Sequence, residues 1–152
     1  NVAGANNEAG LGEFRKEETH LIPKLLESIK NFHQFQIFGN DFKTHDGTSV
    51  RDYVHVVDLS NAHLDSIEYL LKNDKNLIVN LGTGVGFSVL EVVKEANSIC
   101  KNKVFYEFSK KRSGDTDTLI AKSDLAKKLL NWNPRYSDLR TIINSTYKIY
   151  KQ

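Results

Sequence analysis

The stretch Asp46-Gly47-Thr48-Ser49-Val50-Arg51-Asp52-Tyr53-Val54-His55-Val56-Val57-Asp58-Leu59 holds a turn, a strand and a helix start in fourteen residues. Asp46-Gly47 is a strong turn dipeptide, because glycine takes positive φ without a Cβ clash. The β-branched and aromatic run from Val50 to Val56 predicts a strand, and Phe42 to Val56 together read as a hairpin-like excursion. Asp58 then opens an amphipathic helix carrying Leu59, Ala62, His63, Ile67, Leu70 and Leu71. Side chains two apart on an extended run share a face, so Arg51 and Tyr53 point the same way.

Toward the N-terminus, Phe35 to Phe38 alternates like a strand and Gly39-Asn40-Asp41 supplies a turn. Thr19 N-caps a helix whose apolar positions Ile22, Leu25, Leu26 and Ile29 recur at three and four, with Pro23 tolerated in the first turn. Asn1 to Lys16 has neither period and reads as an irregular loop. Toward the C-terminus, Leu77-Ile78-Val79 is a short apolar run of buried-strand type, and Gly82, Gly84 and Gly86 make a turn. Ser88 and Glu91 form a capping box for a helix through Val89, Val92, Val93 and Ala96. Val104 to Phe108 is another strand, followed by a polar loop from Ser109 to Thr118. Two helices follow, one capped by Ser123 and ended by Pro134, the other from about Asp138 to Tyr150. The chain is α/β.

At 152 residues, with 39% hydrophobic and 26% charged, the composition is that of one globular domain with its own core. Twenty-one basic residues stand against 19 acidic ones and are interspersed with them, which argues against nucleic acid as a partner. No apolar run approaches the ~18 residues of a membrane span. A lone cysteine, Cys100, excludes an internal disulfide framework and fits a reducing, cytoplasmic setting. The absence of methionine and the start at Asn1 suggest a piece of a longer polypeptide.

Gly82-Thr83-Gly84-Val85-Gly86 follows a strand and precedes a helix, but a dinucleotide fingerprint needs glycine where Phe87 stands. It reads as a structural turn. The five histidines lack metal-ligand spacing and one cysteine builds no thiolate zinc site, so no metal is expected. Arg51 and Arg112 carry the forked donors that suit phosphate. Residue types leave that open against ordinary ion pairs, such as Arg51 with Asp52 or Asp46.

The combined strings resemble the second half of the UDP-glucose 4-epimerases, in the extended short-chain dehydrogenase/reductase family. The resemblance rests on Asn1-Val2-Ala3-Gly4-Ala5, Thr19-His20-Leu21-Ile22-Pro23, Ile37-Phe38-Gly39-Asn40-Asp41, the stretch from Asp46 to Leu59, Asn80 to Val89, Arg112-Ser113-Gly114-Asp115 and Trp132-Asn133-Pro134. Looser forms of the Asp46–Leu59 string occur in related sugar-nucleotide enzymes. Its combination with Thr-His-Leu-Ile-Pro and Arg-Ser-Gly-Asp favours the 4-epimerases over a 4,6-dehydratase.

The resemblance implies the substrate-binding C-terminal half of an extended Rossmann-type enzyme, a small mixed sheet with flanking helices. Its NAD-binding half and all catalytic residues would lie upstream of Asn1. The complete enzyme would interconvert UDP-glucose and UDP-galactose through a 4-keto intermediate, as a homodimer. The fragment alone would be inactive. Alternatives are another UDP-sugar epimerase or decarboxylase, or a separately encoded, non-catalytic binding module.

By the same resemblance, Asn1 faces the diphosphate–sugar end, and Thr19, His20 and Leu21 lie where a helix N-terminus meets the nucleotide. Gln36, Ile37 and Phe38 border the uracil. Arg51 and Arg112 clamp the diphosphate, Asp115 accepts from the ribose hydroxyls, and Tyr53 packs beside the nucleotide. Leu119 gates the sugar pocket, leaving N-acetylated hexoses open.

Overall fold

In the computed structural model, which describes residues 1–151, Ile22, Leu25, Leu26 and Ile29 form the buried stripe of α1 (Leu21–Asn31). Their spacing puts them on one side of a 3.6-residue helix. α1 packs with α3 (Val89–Cys100) and α5 (Leu139–Tyr150), and Leu25, Val92, Ala96, Ile142 and Ile143 centre the shared core. α3 begins with a complete capping box: Ser88 Oγ accepts from the Glu91 N–H, and the Glu91 carboxylate accepts from the Ser88 N–H. β2 (Phe35–Phe38) sends Phe35 and Ile37 into this core and pairs in parallel with β6 (Tyr106–Ser109).

β3 (Val50–Asp52) is the centre of a mixed sheet, antiparallel to β5 (Gly86–Ser88) and parallel to β7 (Thr118–Leu119). β1 (Val2–Ala3) pairs in parallel with β4 (Val54–His55), which runs into α2 (Val56–Asn73). α4 (Asp124–Leu130) packs on α2, with Val54, Ala62, Ala126 and Trp132 between them. The architecture is α/β, small sheets flanked by helices, as the sequence predicts. Among the described residues no helix is long and apolar enough to cross a membrane.

Several local expectations are corrected. The segment before Asp46-Gly47 is not a strand, so there is no hairpin; β3 finds both its partners far away in sequence. His20, not Thr19, is the N-cap of α1. α2 starts two residues before Asp58, capped by His55, whose ring accepts from the Val57 N–H. Asp58 is buried and serves the loop beyond α4 instead, accepting from Arg135 N, Tyr136 N and Ser137 Oγ. Ser123 is the N-cap of α4, as read, but its Oγ donates to the Gly82 carbonyl and makes no cap bond; the helix ends at Leu130, with Asn131 in the left-handed region, before Pro134. Residues 77–79 form no strand, and Ile78 is 89% exposed. The apolar run asks for burial, but among the described residues no strand lies alongside it.

His55 shows how tightly the first residues are tied in. The Val57 N–H donates to Nδ1 (3.1 Å), so the ring proton sits on Nε2 and donates to Ser145 Oγ (3.0 Å). Ser145 Oγ in turn accepts from the Ala5 N–H and donates to the Ile142 carbonyl. Gly4, at φ +94°, admits the ring: a Cβ there would lie 2.5 Å from His55 Cδ2. Burial lowers the imidazole pKa, against the pull of Asp58 and Asp138. The unfolded chain therefore binds more protons below its ordinary value of about 6.5. This contribution to stability is complete above that pH and is lost as pH falls from there toward the folded pKa. The urea midpoint is expected to drop across this window, and less steeply in His55→Gln. Equal pH slopes in the two proteins would remove His55 from the account.

Candidate functional site

Three rows of side chains converge on one cavity of about 690 Å³, within the ~300–1,000 Å³ of small-molecule sites. His20, Lys24 and Ser28 are spaced by four along α1. Gln34, Gln36 and Phe38 alternate through β2 and the residue before it, and Ser49, Arg51 and Tyr53 alternate through β3 and the residues on either side of it. All nine line the cavity, joined by Asn1 and by Arg112 and Asp115 of the loop after β6.

Of the twelve residues singled out from the sequence, eleven line this cavity: Asn1, Thr19, His20, Leu21, Gln36, Ile37, Phe38, Arg51, Tyr53, Arg112 and Asp115. Leu119 does not; it sits in β7, in register with Arg51. Lys24, Ser28, Gln34 and Ser49 were missed. The signal was present, since each continues a period already marked by His20, Gln36 or Arg51.

Arg51 makes neither of the ion pairs open to it. Its Nη1 donates to the carbonyls of Val50 (2.8 Å) and Thr116 (2.9 Å). Nε and Nη2 have no protein partner among the described residues. Asp52 points to the opposite face, and Asp46 is held by Thr48 and Ser88. Arg112 does pair with a carboxylate: its Nε donates to Asp115 Oδ2 (2.9 Å), leaving both terminal nitrogens unpartnered among the described residues. Two guanidinium groups thus face one cavity with donors to spare. Tyr53 is buried beside Arg51; burial pushes its phenol pKa up, Arg51 pulls it down, and the net shift is upward. The hydroxyl stays protonated.

Backbone groups add to this. The N–H groups of Phe35 and Gly39 donate to Phe105 and Ser109 carbonyls on the β6 side. By the two-residue period, Gln36 and Phe38 turn their N–H and C=O groups to the other edge, which borders the cavity. The start of α1 faces the same space. His20 supplies no side-chain cap, Pro23 has no N–H, and the N–H groups of Leu21 and Ile22 have no partner among the described residues. Such a terminus attracts an anion. Just outside, Glu13, Glu18 and His20 bring possible metal-ligand atoms within 4.8 Å of one another. Glu13 Oε1 is already taken by His20 Nδ1 (2.8 Å) and Arg15 Nε (2.5 Å).

The glycine turn is structural, and the occupant is a protein carboxylate. Asp52 Oδ1 accepts from the Thr83 N–H and hydroxyl, and Oδ2 from the N–H groups of Gly84 and Ala121. A Cβ at Gly82 would lie 2.6 Å from Asp52 Oδ2. A dinucleotide phosphate would meet a carboxylate there and find the donors used, so the residues of this turn do not fit NAD. Cys100 is equally unavailable: it is buried, which pushes its thiol up to about 11.

The chain is 42% identical over 148 residues to the UDP-glucose 4-epimerase of Streptococcus mutans, covering 97% of this chain and 44% of that protein. Among solved structures it is similar to the UDP-glucose 4-epimerase of Stenotrophomonas maltophila with bound NAD and formylated UDP-arabinopyranose. That match has a TM-score of 0.94 and 33% identity, over 99% of this chain and 45% of that one. The Bifidobacterium longum enzyme in complex with NAD+ and UDP is 32% identical with a TM-score of 0.89, over 99% and 45%. The chain therefore spans under half the length of these relatives, and the resemblance read from its motifs holds along nearly all of it. The profile of the GDP-mannose 4,6 dehydratase family matches residues 5–146, a span that takes in α1, β2, Arg51 and the Arg112 loop, and the chain belongs to that family.

Proposed function

We propose that this chain supplies the nucleotide-sugar grip of a UDP-glucose 4-epimerase, an isomerase that interconverts UDP-glucose and UDP-galactose with NAD. The observation that carries the reading is the meeting of Arg51, Arg112, the α1 N-terminus and the free edge of β2 on one cavity. A diphosphate suits the two guanidinium groups and the N–H groups of Leu21 and Ile22. A pyrimidine edge, with alternating donors and acceptors, suits the exposed backbone of Gln36 and Phe38. Asp115 suits ribose hydroxyls, Asn1 faces the diphosphate–sugar end, and Tyr53 packs beside the nucleotide.

The share of this chain in the reaction is binding and orientation. No residue here is assigned to the redox step, and NAD would be held by a Rossmann half outside these 152 residues. That half also accounts for an uncovered surface. Leu64, Ile67 and Leu71 of α2, spaced by three and four, are all more than half exposed, with Leu70 beside them and Ile78 beyond the helix. Such a surface marks a place where another polypeptide packs. Leu119 lies outside the cavity lining, and the gating role expected of it from the family resemblance gains nothing from the cavity.

Calorimetric titration of the 152-residue chain tests the reading. UDP is expected to bind with a stoichiometry of one, GDP far more weakly, and NAD not at all. A preference for GDP would point to GDP-sugar chemistry, and heat from NAD without heat from UDP would overturn the proposal.

A further inference from the structure

The Arg112 side chain is 61% exposed and lies on a loop. A long exposed side chain loses much of its binding strength to rotamer freedom, unless something holds it. Two groups do. Asp115 takes its Nε, and the Phe38 ring lies under the guanidinium plane, with Cζ 4.9 Å from the ring centroid. That distance is within the ~6 Å of a cation–π contact. The two restraints use the ring face and one nitrogen, and leave the forked Nη1/Nη2 end free for an anion. Phe38 comes from β2, so the same residue that offers backbone to the base end of the cavity carries the phosphate-binding arginine on its side chain.

We infer that Phe38 is the positioning residue for Arg112, its ring holding the guanidinium over the cavity in readiness for a pyrophosphate group. The inference rests on the nucleotide-sugar reading for its natural ligand, and on the geometry alone for the anion.

The test is titration of UDP and inorganic pyrophosphate into the wild-type chain, Phe38→Leu, Phe38→Tyr, Arg112→Ala and the Phe38→Leu/Arg112→Ala double variant. Phe38→Leu is expected to weaken pyrophosphate, which has no base to contact β2, about three- to tenfold, and UDP by at least as much, and to be rescued by Phe38→Tyr, which keeps the aromatic face. In the Arg112→Ala background the leucine is expected to add no further loss. Unchanged pyrophosphate affinity in Phe38→Leu, or the same loss with Arg112 already gone, would overturn the inference by showing a base-side or purely structural role. If the wild type binds pyrophosphate but not UDP, the nucleotide-sugar reading fails while the Phe38 assignment is still decided by pyrophosphate. If it binds neither, both fall.

Discussion

Asp52→Ala is expected to cost about 3–4 kcal/mol of folding stability, the largest loss from any single polar side chain near the site. The carboxylate is buried and accepts from four donors on two separate segments, Thr83–Gly84 and Ala121. Removing it strands three backbone N–H groups, each costing about 1–3 kcal/mol where water does not replace the lost acceptor. Part of that is recovered, because Thr83 and Gly84 are only partly covered. Asp52→Asn keeps the shape but turns an NH₂ toward other donors, so it is expected to fall between alanine and wild type. Urea unfolding at pH 7 measures both. An Asp52→Ala chain within about 1 kcal/mol of wild type would mean that the turn is held by something else.

For binding, Arg51→Ala and Arg112→Ala are each expected to weaken UDP by about 1.5–3 kcal/mol, the range for charge-assisted hydrogen bonds. Uridine affinity is expected to change little, because the lost donors serve the diphosphate. The two losses should not add, since both groups would share one ligand. Arg51→Lys is expected to recover only part of the effect: the guanidinium spends Nη1 on the Val50 and Thr116 carbonyls and still presents Nε and Nη2, whereas an ammonium anchored on those carbonyls has less left over. Unchanged UDP affinity in both alanine variants would dispose of the clamp.

The local elements were legible where neighbours in sequence are also neighbours in space. The three-and-four spacing from Ile22 to Ile29 and the Ser88–Glu91 box are settled within one or two helical turns, and both appear as read. The Asp46-Gly47 turn was legible as a turn and misleading as a hairpin, because the partners of Val50 in β3 lie 38 and 68 residues further on, at Ser88 and Thr118. Long-range pairing leaves no local signature. The run Leu77-Ile78-Val79 failed for the opposite reason: its composition states a preference for burial, and composition does not supply the strand that would satisfy it. The site follows the same division. Alternation paired Arg51 with Tyr53, and the same alternation carried one step back would have added Ser49; the stripe of His20 would have added Lys24 and Ser28.

By itself, then, the sequence determined the helices, the turns, the family resemblance and the residue types suited to a nucleotide sugar, all of which follow from short-range stereochemistry and side-chain chemistry. Only the tertiary structure decided that Arg51 and Arg112, sixty-one positions apart, face one cavity, that a carboxylate rather than a phosphate fills the glycine turn, and that Phe38 lies beneath a guanidinium. Each of those depends on which distant segments meet, and that is set by the packing of the whole core rather than by any stretch of it.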